Sequence, residues 1–248
     1  MAHADSLDEF WNIARGSEEV FDPVQVASLP EPARRYVNHA IAPGTPLARA
    51  VRLRMHGQIK LKKWASFTAE EVIRWDRGMV WEATVKLYGL TISGFDRLVD
   101  GHGEMQWRLF GIFPIIRARG PDVTRSAAGR LAAETIWLPS ALVSSDVRWS
   151  DIGSTRSRAG LTVSGESVEM EMNVNETGRL LSASMSRWGN PGGTQYQYGA
   201  FGAIVEEESS FSGYTIPTQS RIGWHFGTER FASEGEFFRC TVDQAAFR

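Results

Sequence analysis

The chain has 248 residues, with 27 Lys and Arg against 29 Asp and Glu, for a net charge of −2. That balance argues against a nucleic-acid binder, which carries a basic surplus or stripe. The lone Cys240 excludes an internal disulfide and a multi-cysteine metal centre, and no run approaches the roughly 20 apolar residues of a membrane span.

The first twenty residues are acidic and mixed (Asp5, Asp8, Glu9, Glu18, Glu19), without a basic start or an apolar run. They predict no secretory signal and a cytoplasmic location. Residues 7–14 can form a short amphipathic helix with Phe10, Trp11 and Ala14 on one side. Pro30 and Pro32 open a second helix, in which Ala33, Tyr36, Val37, Ala40 and Ile41 recur at helical spacing until Pro43-Gly44.

From Arg49 the period becomes two: Val51, Leu53, Met55, Ile59 and Leu61 alternate with polar residues, which predicts a half-buried strand. Trp81, Ala83, Val85 and Leu87 repeat the pattern after the turn at Asp76-Arg77-Gly78. Further strands are expected over 90–100, 104–110, 156–163, 167–174, 179–188, 196–208, 214–226 and 229–242, joined by turns rich in Gly, Asn and Asp. Between 121 and 145 the alternation breaks. Asp122 can cap a helix over 123–135, and Pro139 starts a further helical turn.

Consecutive hairpins predict a mainly β (α+β) fold, a strongly curved antiparallel sheet or open half-barrel. An N-terminal helix and the helical insertion at 121–145 would cover its apolar face. One domain is expected over 29–248, preceded by a helical extension over 1–28.

No catalytic or nucleotide motif is present: there is no G-x-S-x-G, H-E-x-x-H, Walker A or G-x-G-x-x-G. The five histidines (His3, His39, His56, His102, His225) have no metal-ligand spacing, so neither metal nor cofactor is expected. Cys240 alternates with Phe238 and Val242 and reads as an inert buried thiol.

Three acids break otherwise apolar registers. Asp96 follows Leu90, Ile92 and Gly94; Glu71 lies among Phe67, Ala69 and Ile73; Glu134 shares a helical stripe with Leu131 and Leu138, beside Trp137. An unpaired buried carboxylate costs several kcal/mol or stays protonated. Such acids therefore pair with arginine or do acid/base work. Arg187, Arg97 and Arg108 are candidate partners. Trp81, Trp107, Trp137 and Trp224, with Thr218 on the same register as Trp224, would line either a filled core or a ligand cavity.

Four stretches, 29–36 (Leu-Pro-Glu-Pro-Ala-Arg-Arg-Tyr), 67–70, 78–81 and 133–142, carry a resemblance. They resemble a widespread bacterial family labelled only as a domain of unknown function, from about Leu29 to the C-terminus, most specifically over 134–142. The expected layout is similar to that of the lipoprotein carriers LolA and LppX, which implies a fold and only weakly a function.

Three functions fit. The first is a cofactor-independent enzyme of isomerase, cyclase or lyase/hydratase type, with Glu134 and Asp96 catalytic. Trp81, Trp107, Trp137, Trp224, Thr218, Glu71 and Arg187 would contact its hydrophobic or aromatic substrate. The second is a non-catalytic carrier of lipid or another lipophile. The third is a structural or partner-binding module whose interior is full. A concave pocket above about 300 Å³ separates the first two from the third.

Overall fold

Among the described residues, thirteen strands form one antiparallel sheet in the order β6-β5-β4-β3-β2-β1-β13-β12-β11-β10-β9-β8-β7. The first six are β1 (Ala50–Lys60), β2 (Trp64–Arg74), β3 (Gly78–Leu87), β4 (Leu90–Val99), β5 (His102–Leu109) and β6 (Phe113–Arg119). The remainder are β7 (Arg148–Gly153), β8 (Arg156–Val163), β9 (Glu166–Val174), β10 (Leu180–Gly189), β11 (Gln197–Phe211), β12 (Tyr214–Trp224) and β13 (Glu236–Phe247). The computed structural model describes residues 6–193 and 195–248, so His3 and Asp5 lie outside the described residues.

The connectivity explains the order. Six strands run outward from β1 by hairpins, a helical segment crosses to β7, and hairpins return the chain to β13 beside β1. Leu53 pairs with Ala245 and Ile59 with Phe238 at that central seam. The two edges, β6 and β7, do not pair, so the sheet is an open half-barrel.

Its inner face buries Leu53, Phe67, Met79, Leu98, Met170 and Ile216 in one continuous core. The cover is helical. α2 (Glu31–Ala40) buries Ala33, Tyr36, Val37 and Ala40, with Pro32 in the first turn where its missing N–H is harmless. α3 (Pro121–Ala133) continues into 3₁₀ turns at Glu134–Trp137 and Pro139–Val143. The short α1 (Leu7–Asn12), capped by Ser6 and Glu9, sets Leu7 and Phe10 on Val72 and Val80 of the outer face.

Several sequence expectations need correction. Asp122 is not the cap of α3: Gly120 occupies that position, and Asp122 accepts from Trp188 Nε1 at 3.0 Å. The strand expected over 229–242 is a helical turn at Phe231–Gly235 followed by β13, which runs on to Phe247. Both edge strands escaped the periodicity reading. β6 is exposed on both faces apart from a half-buried Ala118, and β7 is a mixed six-residue strand, so neither alternates cleanly.

Candidate functional site

The register of the first half sets one row of residues across the inner face: Leu53, Glu71, Trp81, Asp96 and Met105. Arg130 of α3 descends onto this row. Its Nη2 donates to Glu71 Oε1 (3.0 Å), Nη1 to Asp96 Oδ2 (3.2 Å) and Nε to Glu134 Oε1 (2.5 Å). The guanidinium also lies 5.1 Å from the Trp81 ring centroid. One cation thus ties three carboxyl groups from β2, β4 and the helical cover.

Trp107 Nε1 donates to Asp96 Oδ1 at 2.9 Å, and Gly94 makes that reach possible. A Cβ at Gly94 would lie 2.2 Å from Gln106 O and 2.8 Å from the Trp107 ring. Gly129, a weak helix residue, has a comparable reason. The Arg187 stem crosses it so closely that a Cβ there would lie 3.1 Å from Arg187 Cγ.

Burial, then the charge of Glu134, raises the Glu71 carboxyl well above the carboxylate range despite Arg130. Burial likewise raises Asp96 against the opposing pull of Arg130 and Trp107. Burial alone would lower Arg130, but Glu134, Glu71 and Asp96 outweigh it and hold its pKa above the ordinary value. Arg187 is lowered to about 10 by burial and by the charge of Arg130. Glu71 Oε2 and Glu134 Oε2 are both buried without a hydrogen-bond partner. A proton on Glu71 supplies the donor that two carboxylates lack.

Arg187 donates to Ser126 O (3.1 Å) and stacks on Phe201 (4.6 Å) and Trp224 (5.5 Å). Two cavities of about 90 Å³ each adjoin Arg130 and Arg187. One is almost wholly apolar, lined by Trp137, Met170, Met185, Phe201, Ile222 and Phe238, with Glu134 at its edge. The other is bounded by Met79, Asp96, Glu104, Met105 and Tyr196. A larger concavity, about 1000 Å³, is an open polar groove on the outer face, around Arg52, Arg54, Glu70 and Glu82. Glu70 there is already held by Arg52 and Arg54.

Of the residues singled out in the sequence, Glu71, Asp96, Glu134, Trp81 and Trp107 gather around Arg130, and Arg187 is close enough for its charge to act on them. Trp137 walls the apolar cavity and donates to Pro217 O (3.1 Å). Trp224 lies behind Arg187, and Thr218 is buried without lining either cavity. Arg97 is not a partner of these acids, because it pairs with Glu104, and Arg108 is exposed. The residue missed was Arg130. Its signal was available, since Arg130 and Glu134 stand four apart on a helix. Cys240 is buried, and desolvation pushes its thiol up to about 12, as an inert thiol requires. Among the described residues, no group of three or more His, Cys, Asp or Glu is arranged to hold a metal ion.

Fold and site together define an open antiparallel half-barrel with a helical cover and one arginine bridging sheet to cover. The chain belongs to the family of unknown function DUF6544, whose model matches residues 19–233. That span starts ten residues before the resemblance read from the sequence and includes all four stretches that carried it. No curated protein matches. Among solved structures, the chain is similar to a LolA superfamily protein from Nitrosomonas europaea, with 10% identity, a TM-score of 0.48, and 88% of this chain and 92% of that chain covered. It is also similar to a Vibrio parahaemolyticus domain described as an outer membrane lipoprotein-sorting protein, with 8% identity, a TM-score of 0.41, and 80% and 85% covered. At this distance they say nothing about ligand or reaction.

Proposed function

We propose that the protein is a non-catalytic binder of a lipophilic small molecule, held between the inner face of the sheet and its helical cover. The observation that carries this reading is the apolar cavity at that seam, walled by Trp137, Met170, Met185 and Phe201 and edged by Arg130, Glu134 and Arg187. At about 90 Å³ the cavity lies below the roughly 300 Å³ that a drug-sized ligand needs, so the closed form by itself matches the filled interior of a structural or partner-binding module. Binding therefore requires the cover to lift or the flexible Met170 and Met185 side chains to turn aside.

Acid/base catalysis on an apolar substrate is the second reading, favoured by the raised carboxyl groups Glu71 and Asp96. It has less support, because each of the three acids already accepts from Arg130.

The test is a titration of solvent-extracted protein with a fluorescent fatty-acid probe, alongside Ala203→Trp, which fills the cavity from its wall. Saturable binding by the wild type, weakened about tenfold or more in the variant, is expected, corresponding to roughly 1.4 kcal/mol or more. No saturable binding by the wild type, or equal binding by both proteins, would contradict the proposal.

A further inference from the structure

Successive hairpins alternate between the two ends of a sheet, so the turns after β1, β3 and β5 share one end and those after β2 and β4 the other. The first end has a composition found nowhere else in the chain. All four lysines, Lys60, Lys62, Lys63 and Lys86, lie there. Arg108 and Arg117 extend the basic set along β5 and β6. No Asp or Glu occurs in the stretches 57–69, 85–95 or 106–120 that build these hairpins, although the whole chain is net negative.

The same end is apolar on its surface. Among the described residues thirteen large hydrophobic side chains are exposed, and eight of them sit on these three hairpins. Tyr88 (73% exposed), Ile112 (69%) and Phe113 (61%) stand out furthest, with Leu61, Phe110 and Ile115 beside them. Lys63 Nζ lies 5.7 Å from the Tyr88 ring centroid, which joins two of the tips.

The turns themselves are unusual. Among the described residues, five turns place a non-glycine residue at positive φ just before a glycine. Three use the small polar residues such a turn favours: Asp100-Gly101, Ser164-Gly165 and Ser212-Gly213. The two at this end use aromatics instead: Tyr88 (φ 51°) and Phe110 (φ 55°). A bulky ring in the left-handed region is strained, and fold stability gains nothing from a ring held out in solvent. Exposed rings and aliphatic side chains ringed by cations, with no anion on these three hairpins and Glu234 of the adjoining turn paired with Arg230, match an interface that is apolar inside and negatively charged at its surface.

We propose that this end of the sheet docks on an anionic phospholipid surface. Tyr88, Phe110, Ile112 and Phe113 enter the boundary between headgroups and acyl chains, while Lys62, Lys63 and Lys86 meet the phosphates. The attraction is independent of whether the inner cavity carries a ligand.

The experiment is co-sedimentation of the full chain with vesicles of phosphatidylcholine alone or of phosphatidylcholine with phosphatidylglycerol, at low and high salt. Binding to the mixed vesicles, weakened by salt and absent with phosphatidylcholine alone, is expected. Lys62→Gln with Lys63→Gln should weaken it about tenfold or more. Tyr88→Asn with Phe110→Asn suits both turns, so the melting temperature should hold or rise while vesicle binding is lost. Val24→Ser, at an exposed apolar residue elsewhere, should change nothing. No binding to mixed vesicles, binding indifferent to lipid charge, or full binding by the asparagine variant would overturn the proposal. Self-association of the wild type without vesicle binding, abolished by the same variant, would assign the surface to a second copy and overturn it as well.

Discussion

Glu71 and Glu236 expose equally little surface, but Glu71 lies deep in the interior and Glu236 just beneath the surface, and their carboxyl groups are pushed in opposite directions. Glu236 sits between two arginines: Arg221 Nη2 bonds Oε2 at 2.6 Å and Arg239 bonds Oε1. Burial pushes its carboxyl up, but the two arginine hydrogen bonds outweigh this and hold it below its ordinary value. Glu104, between Arg97 and Arg119, behaves the same way. Around Arg130 the ratio is reversed, with three acids sharing one cation, and there Glu71 is raised. The residue types are identical. What differs is how many cations each acid can claim, and whether those cations keep one side in water. Arg221 and Arg239 do so, with side chains 31% and 47% exposed, against 20% for Arg130.

The strongest way to break this contrast is Arg130→Met. It strands buried acids and should destabilise the fold by about 3–5 kcal/mol in urea titrations at neutral pH. Arg221→Met leaves Arg239 in place on Glu236 and should cost far less, about 1 kcal/mol. Glu236→Gln, which leaves two arginines facing a neutral amide, should cost about 1–3 kcal/mol. Trp107→Phe removes one donor from Asp96 and should cost about 1 kcal/mol.

The smallest effect should be Glu71→Gln at pH 7, about 1 kcal/mol or less, because burial and the charge of Glu134 favour the protonated carboxyl, which the neutral amide imitates. Its effect on pH dependence should be larger. A raised native pKa contributes stability that is complete below the unfolded value, about 4.3, and is lost as pH rises through the native value. Glu236 and Glu104 contribute the opposite: stability present above the unfolded value and lost as pH falls through the native one. Urea midpoints followed across pH should show Glu71→Gln flattening the decline toward alkaline pH, and Glu236→Gln softening the decline toward acid. Identical profiles for the two variants would remove the contrast.

Much of the sheet was legible in the sequence, because its central strands bury one face and so alternate. The edges were not, since β6 and β7 have no face fully buried against the core. The three acids of the site were legible as breaks in register. Arg130 was not, because an arginine on a helix usually reads as a solvated face, and only its spacing from Glu134 hinted otherwise. Glu236 went unremarked for a related reason: the strand expected to start at residue 229 begins with a helical turn, which shifts where its first inward residue falls.

Native mass spectrometry of the protein as purified, before any solvent extraction, tests most directly whether the inner face is a binding site. The predicted result is a population heavier than the polypeptide by the mass of one lipophilic molecule, released on extraction and diminished in Ala203→Trp. A single clean polypeptide mass, with no uptake when lipids are added back, would contradict it.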